Sequence, residues 1–198
     1  RDGRVSYYHQ MLGASIVHPA CKEVIPLCPE PVIKEDGNKK NDCELNAAKR
    51  LIERLRIDHP KLAMIIIEDA LYGNGPHIDL LKSKDFSFII GVRPKSHALL
   101  FDWVDKSDTL SYEFIDEKGT THRFRYINNV PLNGANLETY VNFLEYWEIK
   151  ENKTTHFTWI TDLALNEESV YQIMRGGRAR WKIENETFNT LKNHGYQF

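Results

Sequence analysis

The apolar run LAMIII, Leu62 to Ile67, constrains the fold of this chain more than any other segment. It is too short for a typical helix, it ends in β-branched residues, and it does not alternate with polar ones. That is the pattern of a strand buried on both faces. Asn74-Gly75-Pro76 then opens a helix with proline in its first turn, and Phe86 to Val92 forms a second apolar strand. Two strands joined through a helix make a β-α-β unit, in which the strands run parallel. The fold class expected is therefore α/β. Glu68 and Asp69 fall at the carboxyl end of the first strand, where open α/β sheets place their chemistry. An acid at such a position also serves as a turn or helix cap. On a strand, Glu68 points away from the side to which Asp69 points.

The flanking segments read as follows. Tyr7 to Val17 and Glu23 to Leu27 are expected strands, split by His18-Pro19. Asn41 caps a helix, with Glu44 three residues on. That helix runs to about Asp58 with Leu45, Ala48, Leu51, Ile52 and Leu55 on one face. Leu110 to Ile115 and Thr121 to Ile127 form a hairpin around an Asp116–Gly119 turn. Val141 to Ile149 and Phe157 to Leu163 are further strands. The stretch from about Pro94 to Lys153 thus reads as a β-rich insertion beside the sheet. It divides a core into residues 1–93 and 154–198.

Composition narrows the class. At 198 residues the chain buries a proper core, and with 41% apolar and 27% charged residues it is ordinary globular material. No run approaches the roughly 18 apolar residues of a membrane span. No signal peptide is expected from this sequence. Arg1 stands where an initiator Met would, so the chain reads as an internal piece of a longer protein. Cys21, Cys28 and Cys43 lack the close pairing of a zinc site and read as reduced cytoplasmic thiols. The net charge is −2, yet Arg175, Arg178, Arg180, Lys182 and Lys192 form a local basic excess. Such a patch suits a phosphate backbone, and equally suits a solvated helix face.

The last segment, GRARWKIENETFNTLK from Gly177 to Lys192, reads as an amphipathic helix with a carboxylate in its apolar face. At about 100° per residue, Trp181, Glu184, Phe188 and Leu191 share one stripe, and Glu186 points about 160° away from Glu184. A carboxylate on the packed side of a helix needs compensation. An ion pair with Arg180 at i, i+4 supplies it in one reading. A metal held by Glu184, with Arg180 and Lys192 gripping phosphate, supplies it in the other.

That helix resembles the final acidic helix of the DDE transposases of bacterial insertion sequences. Their cut-and-paste members carry Tyr, two residues, Arg, three residues, Glu, six residues, Lys. Arg180 and Glu184 match at that spacing within RWKIE. Gly177 takes the Tyr position, and Lys192 falls one residue late, with Leu191 in its place. IIIEDALYGNGPHI is similar to the family's segment around the second catalytic Asp. YYHQMLGASIVHP, NDCELNAAKR, VNFLEYWE and WITDL come in the family's order, so the resemblance covers nearly the whole chain.

The resemblance implies a ribonuclease-H-like mixed sheet flanked by helices, with a β-rich insertion before the last catalytic helix. It implies Asp69 and Glu184 as catalytic, metal-binding acids facing one another. Arg180, Lys192 and Arg178 become phosphate-binding cations. Two Mg²⁺ ions are the implied cofactor, with Mn²⁺ able to substitute. The partners are DNA, both terminal inverted repeats and target, and a second copy on DNA, in a bacterial cytoplasm. The family's first Asp lies on a strand preceding everything seen here. Asp2, in a polar RDGR turn, does not replace it, so the fragment alone is expected to be inactive. A metal-dependent nuclease of the same fold and a non-catalytic transposase remnant are the competing readings. Asp162 reads as a cap or turn. His9, His97 and Asp42 lack ligand-spaced partners. Trp103, Trp147 and Trp159 read as packing.

Overall fold

The computed structural model describes residues 10–37, 39–134, 136–151, 153–189 and 193. The chain divides into two compact bodies, residues 1–17, 21–62 and 182–198 in one, 18–20 and 63–181 in the other. Asp2, His9, Leu191 and Lys192, and the start of the strand expected from Tyr7, lie outside the described residues. Among the described residues no helix is long and apolar enough to cross a membrane.

The first body pairs short strands. β1 (Met11–Leu12) and β2 (Ser15–Val17) replace the single long strand expected to end at Val17. They separate because they have different partners: β3 (Val24–Pro26) pairs with β2, and β4 (Glu30–Pro31) pairs with β1. Gly13 lies at the switch, close enough to Phe188 that a Cβ would sit 3.1 Å from its ring.

Helix α1 spans Lys40–Asp58; Ala48, Leu51, Ile52 and Leu55 of the expected face are buried, Leu45 is half-buried, and Ala47 is buried in addition. The helix begins one residue before Asn41, which is therefore inside the first turn and not the cap; Lys39 is the capping residue, and its side chain makes no capping hydrogen bond. At the other end Arg56 donates to the carbonyls of His59 and Leu62 at 3.2 and 3.1 Å, holding the segment that follows the helix.

A charge clamp ties α1 to the β4 segment. Arg50 bonds Glu30 Oε1 at 2.7 Å, the Pro31 carbonyl at 2.9 Å and both oxygens of Asp36. Glu30 and Asp36 are buried. Arg54 Nη2 lies 3.0 Å from Glu30 Oε2, an ionic contact out of line for a hydrogen bond. The Arg50 guanidinium holds the Asp36 carboxyl below its ordinary value, helped by the Ile33 amide, which donates to Oδ2 at 2.8 Å. A carboxyl depressed in the folded state contributes stability above its unfolded value of about 4, lost as pH falls through the folded one. Acidification from about pH 4 downward should therefore raise hydrogen exchange at the Ile33 amide before the central sheet loosens. Protection of Ile33 that persists to about pH 2 would contradict the clamp.

The second body is mixed α/β: a six-stranded mixed sheet flanked by helices. β5 (Ile65–Glu68), α2 (Gly75–Ser83) and β6 (Ser87–Gly91) form the expected β-α-β unit, with β5 and β6 parallel. α3 (Ala98–Lys106) follows, then β7 (Leu110–Ile115), β8 (Thr121–Asn133), β9 (Asn136–Lys150), β10 (Lys153–Thr161) and α4 (Val170–Ala179). The strand order is β5-β6-β10-β9-β8-β7, and every pairing other than β5–β6 is antiparallel.

Two expectations change here. β5 is an edge strand of this sheet, with Ile65 49% exposed, so it is not buried on both faces. It has a neighbour on one side only among the described residues. The segment 94–153 is β-rich as expected, but it does not lie beside the sheet. It supplies α3 and three of the sheet's strands, because β10 pairs with both β6 and β9 and carries the ladder across. The boundaries expected at 93 and 153 thus fall within one continuous body.

The core lies on both faces. Ile89, Phe124, Leu144, Tyr146 and Trp159 pack with Ile173 and Met174 of α4. Phe143, on the opposite face by strand alternation, meets Phe101 of α3 edge-on at 5.2 Å. Asp162 follows β10 and accepts the Phe88 amide of β6 at 2.8 Å, a structural bond across the sheet rather than the cap or turn expected.

Candidate active site

Asp69 is the first residue beyond β5 and is exposed. Its Oδ1 accepts the Leu71 amide at 2.9 Å, and its carbonyl accepts the Tyr72 amide at 3.2 Å. The side chain thus shapes its own turn, the Asx arrangement expected of a capping acid. Oδ2 makes no hydrogen bond among the described residues. One carboxylate oxygen is occupied locally and the other faces outward at the carboxyl end of a parallel strand.

The loop that follows is tied down at both ends. Asn74 caps α2, accepting the His77 amide at 3.1 Å. Glu68 does point away from Asp69's role: its Oε2 accepts from Nε2 of the buried His77 at 2.7 Å. His97, also buried, bonds the Gly73 carbonyl through Nε2 at 2.8 Å. A Cβ on Gly73 would stand 2.6 Å from that nitrogen, so only glycine fits under the ring. His77 and His97 are the residues that sequence reasoning missed or dismissed. His77 adjoins Ile78 on the buried face of α2, and that placement is the one signal available for it. Nothing local marks His97.

The basic residues divide. Arg178 forms an ion pair with Glu148 of β9, and its guanidinium lies 5.2 Å from the Phe157 ring centre. Glu148 also accepts from the Tyr146 hydroxyl at 3.3 Å, and that hydroxyl lies 2.7 Å from His122 Nδ1. Burial pushes the Tyr146 hydroxyl above its ordinary value. Arg178, expected to bind phosphate, is instead engaged in tying α4 to the sheet. Arg180 lies over the Trp181 ring at 5.0 Å, and Trp181 is 51% exposed. Trp181 therefore does not anchor an apolar stripe.

Among the described residues the stretch from Gly177 onward is not one uniform α-helix as expected. α4 ends at Ala179, Arg180 occupies a turn, and Ile183–Phe188 is π-helical. Wider π turns change the angle per residue, so the wheel that grouped Trp181, Glu184 and Phe188 no longer applies. Glu184 is half-buried and Glu186 exposed. That contrast has the expected direction, but periodicity is not its cause. Glu184 belongs to the first body and Asp69 to the second.

Among the described residues no three His, Cys, Asp or Glu side chains gather closely enough to hold a metal ion. Asp69 offers one outward oxygen, which suits a single ligand of a carboxylate site and does not complete one. Comparison with protein-family models and with curated proteins returns no match.

Proposed function

We propose that this chain is part of the catalytic core of an insertion-sequence transposase with a ribonuclease-H-like fold. In this reading it cleaves DNA at insertion-sequence ends and joins the ends to target DNA. The observation that carries it is Asp69: an exposed acid with an unused oxygen, at the carboxyl end of the parallel strand β5, on a loop fixed by buried histidines. The Arg180–Glu184 spacing within RWKIE supports it independently, through the resemblance to the family's last acidic helix. The parallel pair extended by antiparallel strands is compatible with that fold.

Asp69 and Glu184 are the acids that would hold divalent ions. When bound, two such ions activate the attacking oxygen and stabilise the departing one. Arg180 supplies a fixed guanidinium fork suited to a phosphate oxygen. Arg178 keeps α4 on the sheet and does not enter this role. No residue of this chain is assigned as the first Asp, so the reading requires an acid from elsewhere in a longer polypeptide. DNA is the partner, with a second copy on the DNA, and Mg²⁺ or Mn²⁺ the cofactor.

The test joins the chain to an upstream segment carrying that acid. The product is incubated with labelled insertion-end DNA, target DNA and Mg²⁺. Cut ends covalently joined to target are expected. Cutting without joining would make the protein a nuclease. Neither product, with Mg²⁺ or Mn²⁺, would leave a non-catalytic remnant.

A further inference from the structure

We infer that His97 is a positioning residue for Asp69: its Nε2–H bond to the Gly73 carbonyl fixes the loop from 69 to 75 and hence the direction of the Asp69 carboxylate. The inference rests on reading Asp69 as a metal-binding acid.

The ring has one orientation available. The Arg93 amide, which can only donate, lies 3.4 Å from Nδ1, and the Ser96 hydroxyl lies 2.9 Å from it. Nδ1 is therefore an acceptor, and the ring proton sits on Nε2, aimed at Gly73. His97 itself closes a turn, its amide donating to the Arg93 carbonyl at 3.0 Å. The segment leaving β6 thus latches the segment leaving β5, at the carboxyl ends of two adjacent parallel strands.

A buried histidine is most often a satisfied core residue. His97 differs in what it holds. Within the loop, the Leu71 and Tyr72 amides donate to Asp69, the Asn74 amide donates to the Tyr72 carbonyl at 2.8 Å and Asn74 Nδ2 to the Leu71 carbonyl at 3.3 Å, while Asn74 also caps α2 by accepting the His77 and Ile78 amides. His97 ties the middle of this turn, at Gly73, to the segment that leaves β6, through a side chain at the start of α3. Losing the donor leaves the buried Gly73 carbonyl without that partner. The stretch between Asp69 and the Asn74 cap could then shift and change the direction of the Asp69 side chain.

The test uses the full chain and two variants. His97→Met fills the ring's space without a donor; His97→Gln keeps a donor for Gly73. Amide exchange is followed at Leu71, Tyr72 and Asn74, with β8 and β9 amides as the folding control. Mn²⁺ alone is the metal probe, read by broadening of the Ala70 and Leu71 resonances. Exchange in the loop should quicken by about tenfold in His97→Met, the scale of one lost hydrogen bond, with the sheet unchanged. Mn²⁺ broadening should weaken with it, and His97→Gln should restore both. Unchanged loop exchange in His97→Met, failure of Gln to restore it, or equal loss of protection in β8 and β9 would each overturn the inference. If Mn²⁺ leaves Ala70 and Leu71 of the unaltered chain untouched, the metal reading of Asp69 fails, and loop exchange still decides whether His97 holds the turn.

Discussion

Asp69→Asn, in a polypeptide that also carries the first acid, should reduce metal-dependent cleavage by at least about a hundred- to a thousandfold, the scale of removing one preorganised electrostatic group. The substitution is nearly isosteric. The Asn carbonyl oxygen can still accept the Leu71 amide that Oδ1 accepts now, at 2.9 Å. The turn is kept and only the charge facing outward is lost. DNA affinity, carried by cations against phosphates, should not fall. Gel shift and cleavage measured on one preparation separate the two. Near-normal cleavage in Mg²⁺ would reduce Asp69 to a turn-former. Unfolding is not expected, because Asp69 is exposed and outside the strand ladder.

Gly177→Tyr should destabilise the second body by more than about 3 kcal/mol, beyond the usual range for overpacking. The family signature has Tyr at this position, so the effect is a direct measure of the departure. A Cβ alone at 177 would lie 2.6 Å from Trp159 Nε1 and 2.7 Å from Cε2, with Ile89 Cγ2 at 3.2 Å. Trp159 is buried in β10, and the contact holds α4 against the sheet. A glycine inside a helix costs roughly 0.5–1 kcal/mol relative to Ala, so close approach is the gain that offsets it. Gly176→Ala is the control: its Cβ would meet only the end of the Ile89 side chain at 3.0 Å. Its effect on a urea midpoint should be small by comparison. Equal midpoints for Gly177→Tyr and the unaltered chain would show that α4 does not depend on this contact.

What was legible in the sequence was what local pattern determines. The β5-α2-β6 unit followed from two apolar runs and an Asn-Gly-Pro start. The Asp116–Gly119 hairpin followed from its turn residues, with Gly119 at φ 75° and Asp116 Oδ1 accepting the Lys118 and Thr120 amides. The sheet's order was not legible, because strand partners are non-local: nothing within Ile65–Glu68 says that it lies at an edge, and nothing in β10 says that it joins β6 to β9. α4 starts at Val170, ahead of the helix expected from Gly177, and the close approach of Gly177 to Trp159 is again a non-local contact. The last helix failed differently. A wheel presumes a constant period, and the π-helical stretch Ile183–Phe188 does not keep it.

The site divides along the same line. The position of Asp69 just beyond β5 was legible because a strand's end is a local property. His77 and His97 were not, since their partners, the Glu68 carboxylate and the Gly73 carbonyl, are brought to them by the fold. The ion pair of Arg178 was not legible for that reason too: its partner, Glu148, lies on a distant strand.

The central claim is that Asp69 and Glu184 bind divalent metal. Mn²⁺ titration followed by resonance broadening tests it most directly, on the chain as it stands. The account predicts broadening beside Asp69, at Ala70 and Leu71, and beside Glu184, at Ile183 and Asn185. Asp69→Asn should abolish the first and Glu184→Gln the second. Broadening centred instead on other carboxylates, such as Glu148 and Glu151, and indifferent to both substitutions, would contradict it.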